Sequence, residues 1–72
     1  MAVFQERLQS LRGEKGLTQK GLSKELGISC RTIQSYERGE RYPDFKGFLR
    51  LADYFGVSLD YLAGRSDIRE LR

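Results

Sequence analysis

Residues 29–35 read SCRTIQS, a run in which one apolar side chain, Ile33, is surrounded by groups that donate or accept hydrogen bonds. Arg31 is the most capable of them, because a planar guanidinium can bond O6 and N7 of a guanine edge together. Gln34 pairs a donor with an acceptor, Ser29, Thr32 and Ser35 carry hydroxyls, and Cys30 a compact thiol. This is the chemistry of recognition, not of bond-making. The chain has no histidine and one cysteine. A single copy therefore cannot assemble a zinc site of the usual nitrogen and sulfur ligands, an intramolecular disulfide, or a Ser-His-Asp or Cys-His nucleophile. No paired acid/base or phosphate-loop arrangement is present, so neither an enzymatic activity nor a cofactor or metal is expected.

These side chains need rigid elements to present them. Leu22 and Leu26 stand at helical spacing before Gly27, and Ile28, Ile33 and Tyr36 follow it. Thr18 and Ser29 are hydroxyl residues suited to cap the two segments, and Gly27 suits the positive φ of a tight turn. Helices over 18–26 and 29–38 then form a helix-turn-helix, whose second helix can be offered to a DNA major groove.

The flanking sequence reads as the frame for that unit. Phe4, Leu8 and Leu11 give residues 3–14 one apolar face, with Gly13 weakening the last turn and Gly16 supplying a C-cap. Pro43 disfavours helix at Tyr42, and Asp44 can cap a fourth helix carrying Phe45, Phe48, Leu49, Ala52 and Phe55. Ser58 can cap a short fifth helix, SLDYLA, with Leu59 and Leu62 inward. The expected core is Phe4, Leu8, Leu11, Leu17, Leu22, Leu26, Ile28, Ile33, Tyr36, Phe48, Leu49, Ala52, Phe55, Val57, Leu59 and Leu62, with Phe45 also read as core from its spacing. The expectation is an all-α chain of five helices: one domain over 1–64, and a charged tail over 65–72 that frays or extends as a helical turn or linker.

Seventy-two residues make one domain near the lower size limit for folding without staples. No apolar run approaches the length of a membrane span and no signal-peptide core follows Met1, so no membrane association and a cytoplasmic location are expected. The formal charge is +3, and residues 12–46 carry eight basic against five acidic residues, so the whole excess lies around the helix-turn-helix. A polyanion is the natural partner of such a patch, the alternative being a solvated surface of mixed sign.

The run T-Q-x-x-L-S-x-x-L-G-I-S-x-x-T-I-x-x-Y-E-x-G, followed by R-x-P-x-x-x-x-F-L-x-L-A-D-Y-F-G-V-S-L-D-Y-L-A-G, resembles the Cro/C1-type (XRE) helix-turn-helix repressors over about residues 4–64. Gly21 and Ser23 depart from it, where a polar helix former and an alanine are usual. The resemblance implies a lambda-repressor-like fold and a regulator, most simply a repressor, that binds a near-palindromic operator in double-stranded DNA as a homodimer. An antitoxin-type relative that binds a toxin protein and controls its own operon is the alternative, and a protein-interaction module of the same fold is another.

Resemblance and helix geometry together distribute the roles. Cys30, Arg31, Gln34 and Ser35 would meet bases, with a plain phosphate contact the alternative for Arg31. Arg12, Thr18, Gln19, Ser29, Thr32, Arg38, Arg41, Tyr42, Phe45 and Lys46 would meet the DNA backbone. The contact at Phe45 would be made by main-chain N–H groups. The resemblance also implies an ion pair between Arg12 and Glu37 that braces the unit. Cys30 could act as a redox sensor, although a lone thiol is more simply a small side chain. Tyr54, Leu59, Tyr61 and Ile68 are nominated as a dimer surface, with burial inside the monomer the alternative for the tyrosines.

Overall fold

Four of the five helices begin where one side chain satisfies a free amide of the first turn. The computed structural model describes residues 3–70, and the helices are α1 (Phe4–Glu14), α2 (Gln19–Leu26), α3 (Cys30–Glu37), α4 (Phe45–Phe55) and α5 (Leu59–Ala63). Thr18 Oγ1 accepts from the Gly21 N–H at 2.9 Å, Ser29 Oγ from Thr32 at 3.1 Å, Asp44 Oδ1 from Gly47 at 2.8 Å and Ser58 Oγ from Tyr61 at 3.0 Å. Each such cap is typically worth about 1 kcal/mol. At α1, where Val3 has no side-chain acceptor, Glu6 reaches back and accepts the Val3 N–H at 3.1 Å. No strand occurs among the described residues, and none of their helices is long and apolar enough to cross a membrane.

The turn between α2 and α3 is shaped by two residues. Gly27 holds φ +67°, a left-handed conformation that costs a side-chain-bearing residue about 1–2 kcal/mol. Ser23 Oγ donates to the Ile28 carbonyl across the turn. The serine that departs from the usual alanine therefore satisfies a main-chain acceptor in the turn that sets the angle of α3.

Phe4, Leu8, Leu11, Leu22, Leu26, Ile33, Leu51, Ala52, Val57, Tyr61 and Leu62 make the core, with Leu17, Ile28, Tyr36, Phe48, Phe55 and Leu59 half-buried against it. The phase of α4 differs from the sequence expectation. Phe48, Leu51, Ala52 and Phe55 stand at i, i+3, i+4 and i+7 and face inward, while Leu49 and Phe45 are exposed, Phe45 by 71%. FKGFLRLADYF contains two overlapping apolar stripes, and in the fold Leu51 lies beside Leu26, Ile28 and Tyr36 of the helix-turn-helix. Phe4 also gathers the aromatic rings of Tyr36, Tyr42 and Phe48, at centroid distances of 6.0, 5.8 and 5.0 Å. That cluster holds the loop after α3 against α1 and α4.

The tail is neither frayed nor helical over residues 65–70. It turns back as an irregular strap along α1 and the start of α5. Arg7, which is buried, donates to Asp67 Oδ1 at 2.6 Å and lies 3.8 Å over the Tyr61 ring. Arg69 pairs with Glu14 and donates to Tyr61 Oη at 3.0 Å. The Ser58 N–H bonds the Arg69 carbonyl at 2.7 Å, and Ser58 Oγ bonds that of Ile68 at 2.9 Å. The strap thus belongs to the domain. The last two residues of the tail, 71 and 72, lie outside the described residues.

Candidate nucleic-acid interface

The geometry of α3 follows from which of its side chains are inside. Ile33 and Glu37 are buried. At 100° per residue, this turns Arg31, Ser35 and Arg38 outward as one stripe, with Gln34 beside it. Arg31 and Arg38 are exposed, and Ser35 and Gln34 are half-exposed. Cys30 lies at the edge of this face, where the Gln34 Nε2 donates to its Sγ at 3.9 Å. Thr32 lies at the opposite edge, its hydroxyl 2.8 Å from that of Ser29. The four residues nominated for base contacts therefore occupy one continuous strip, with Arg31 at its centre and Cys30 at its margin.

Around the strip lie the groups suited to phosphate. Arg41, Tyr42, Phe45 and Lys46 are exposed in the loop after α3 and the first turn of α4, and Lys20 and Lys24 are exposed on α2. In each of α2, α3 and α4 the cap residue engages the third amide of the helix. The N–H groups of Gln19 and Lys20, Cys30 and Arg31, and Phe45 and Lys46 accordingly have no partner among the described residues. Paired open amides at the positive end of a helix dipole are the usual main-chain receptor for an anion. The exposure of Phe45 removes it from the core and leaves it on this side of the molecule.

Beneath the strip is a polar node. Arg12 donates to the Glu37 carboxylate through Nε at 2.6 Å and Nη2 at 3.0 Å, and through Nη1 to the Leu17 carbonyl at 2.9 Å. The hydrogen bonds to Glu37 hold the Arg12 guanidinium even further above neutrality than usual, against the opposing effect of burial. Gln19 Nε2 donates to the same carboxylate at 3.0 Å. One of the two Gln19 side-chain N–H donors is therefore committed to Glu37, which leaves the second, the side-chain carbonyl and the main-chain N–H available. Gln9, which the sequence reading did not single out, donates to the Glu37 main-chain carbonyl at 2.8 Å and closes the end of α3. Only the presence of a glutamine about one and a half turns before the end of α1 hints at it, and exposed glutamines are common.

The four residues nominated as a dimer surface are not brought together. Tyr61 is buried between Arg7 and Arg69 within the monomer. Tyr54 is half-buried on another flank of α4, with Lys15 Nζ 4.8 Å over its ring. Burial pushes the Tyr54 hydroxyl above its ordinary pKa, with Glu25 adding to the effect. Leu59 and Ile68 alone share a surface, joined there by Leu49.

Comparison with known proteins places this arrangement in context. Residues 8–62 match the helix-turn-helix family. An uncharacterized HTH-type transcriptional regulator of Bacillus subtilis, YqaE, is 40% identical over 60 residues, covering 83% of this chain and 52% of the relative. The cryptic phage CTXphi transcriptional repressor RstR of Vibrio cholerae is 36% identical over 62 residues, covering 86% of this chain and 55% of its own length. The chain thus spans about half the length of these relatives. Among solved structures, the DNA-binding domain of the P22 C2 repressor superposes with a TM-score of 0.80 at 28% identity, over 99% of this chain and 92% of that one.

Proposed function

The chain belongs to the Cro/C1-type (XRE) helix-turn-helix family, and from that premise we propose that it is a DNA-binding transcriptional regulator, acting as a repressor in the cytoplasm. The observation that carries this reading is the outward strip of α3, Arg31, Ser35, Arg38 and Gln34, in a domain that also exposes Arg41 and Lys46 and leaves the first two amides of α2, α3 and α4 open. Such a surface lets α3 enter a major groove while the ends of α2 and α4 meet phosphates on its two sides. Two of the proteins it resembles are named as repressors, and blocking polymerase is the simplest action of such a domain.

Arg31 and Ser35 read base edges in this proposal, with Gln34 and Cys30 at the margin of the read site. Thr18, Gln19, Ser29, Thr32, Arg38, Arg41, Tyr42, Lys46 and the Phe45 N–H hold the backbone, and Arg12 acts from below through Glu37. An α3 of eight residues spans little more than two turns, so it reads only a short half-site. Two copies on successive major grooves, about 34 Å apart, supply the remaining specificity and require a near-palindromic operator.

In vitro selection from random duplexes tests this. The expected product is a palindromic consensus whose binding weakens steeply with salt. Recovery of no consensus by the folded protein would overturn the reading, and recovery of a single half-site without symmetry would overturn the dimer.

A further inference from the structure

The strap that closes over α5 also builds a groove. Leu49, Ala52, Leu59 and Ile68 form its apolar floor, with a volume of about 510 Å³, and Asp53, Asp60 and Glu70 stand on its walls. Leu49 and Ile68 are exposed by 36% and 42%, large values for side chains of this kind in so small a domain. Arg65 stands 3.8 Å from Asp60 at its edge, and no lysine or arginine is among the residues of the lining itself, although the chain as a whole carries +3. The negative lining therefore runs against the balance of the molecule.

That lining selects the occupant. A second copy docking by two-fold symmetry would bring the same patch against itself, carboxylates facing carboxylates, and like charges directly apposed are unfavourable. The complementary body has an apolar ridge to cover Leu49 and Ile68 and cations to meet Asp53, Asp60 and Glu70. We propose that the groove between α4, α5 and the 65–70 strap docks a basic amphipathic helix of a partner protein, with the α3 strip left free for DNA. Apolar residues at i, i+3, i+4 and i+7 of the partner fill the floor, and flanking lysines or arginines engage the walls.

Because the strap supplies Ser66, Ile68 and Glu70, the groove depends on the latch that holds it: Arg69 with Glu14 and Tyr61, and Arg7 with Asp67.

The test is fluorescence anisotropy of a labelled synthetic helix with leucines at i, i+3, i+4 and i+7 and lysines elsewhere, titrated with the intact protein. Two control peptides replace lysine by glutamate or leucine by serine. The lysine–leucine peptide is expected to bind at least tenfold more tightly than either control. The double variant Asp53→Lys, Glu70→Lys, both at exposed positions outside the core, is expected to lose that advantage with its circular dichroism unchanged. Arg69→Ala, which unlatches the strap, should weaken the peptide while leaving the affinity for nonspecific DNA within twofold. Equal binding of all three peptides, undiminished binding by the charge-reversed protein, or no binding overturns the proposal. So does a concentration-dependent dimer that Leu49→Ser abolishes, which would give the groove to a second copy. DNA selection is read separately, so failure here leaves the regulator reading standing, and the reverse holds too.

Discussion

Glu37 offers the sharpest test of how the DNA-facing unit is held. Its side chain is 5% exposed and accepts three hydrogen bonds, two from Arg12 and one from Gln19. Glu37→Ala removes all three and leaves the Arg12 cation, itself only 22% exposed, without its carboxylate. Removing one partner of a buried pair costs about 3–5 kcal/mol, and the surviving bond from Arg12 to the Leu17 carbonyl favours the lower end. A domain of this size rarely has more than about 3–5 kcal/mol in hand, so the alanine variant should be largely unfolded at room temperature. Glu37→Gln keeps the volume and one acceptor oxygen, but it loses a hydrogen bond from the Arg12 cation at the other, worth about 1.5–3 kcal/mol. A net loss of about that size is expected, which lowers the Tm by roughly 6–24 °C in a domain of this size. Thermal melts followed by far-UV circular dichroism measure it. Below the transition, the ratio of specific to nonspecific DNA affinity should be unchanged, because Glu37 lies under the recognition strip and not in it. The reasoning is refuted if Glu37→Gln melts with the parent, or if discrimination falls while the Tm stays put.

Three further outcomes follow from the geometry. Arg31→Ala should cost about 1–3 kcal/mol of discrimination at one base pair, whereas Lys46→Ala should weaken all sequences alike and flatten the salt dependence by about one unit of slope; competition binding across salt separates them. On α4, Leu51→Ala should cost about 2–5 kcal/mol and Leu49→Ala within about 0.5, read by denaturant titration, and equal losses would restore Leu49 to the core. The hydrogen bond from Arg69 holds the Glu14 carboxyl below the ordinary glutamate range. Its contribution is therefore complete above the unfolded pKa, near 4.3, and is lost as pH falls through the folded value. Melts of the parent should drop through that window by more than those of Glu14→Gln; a parallel drop would mean that the latch does not contribute.

What could be read from sequence divides along the range of the interactions. The caps at Thr18, Ser29, Asp44 and Ser58 act within three residues, and the turn at Gly27 within one, so helix number and limits were legible from local chemistry alone. The helical spacing of Leu22, Leu26 and Ile33 likewise determines which side of α3 faces outward, and the order of the motif carried the expectation of an Arg12–Glu37 pair. The phase of α4 is ambiguous because eleven residues hold two apolar stripes, and what separates them is contact with residues distant in the chain, Leu26, Ile28 and Tyr36 beside Leu51. The tail carries no local signal either: eight residues with five charges have no apolar face to dock by.

It docks instead through partners that lie 55 and 60 residues away in the chain, Glu14 for Arg69 and Arg7 for Asp67. A single buried ring, Tyr61, lies between the two arginines. The polar tip and the ring of Tyr61 are thus used within the monomer, by residues that no periodicity connects to it. The consequence reaches beyond the monomer. With Tyr61 withdrawn and Tyr54 on another flank, the surface left beside α5 is defined by Leu49, Leu59 and Ile68 under three carboxylates. The charge asymmetry visible in the sequence thus has a spatial form, with basic groups bordering the α3 strip and acidic ones lining the groove formed with the strap. On the two proposals made above, the face of one sign meets a polyanion and the face of the other a cationic helix, so a charge change on one should leave binding at the other intact.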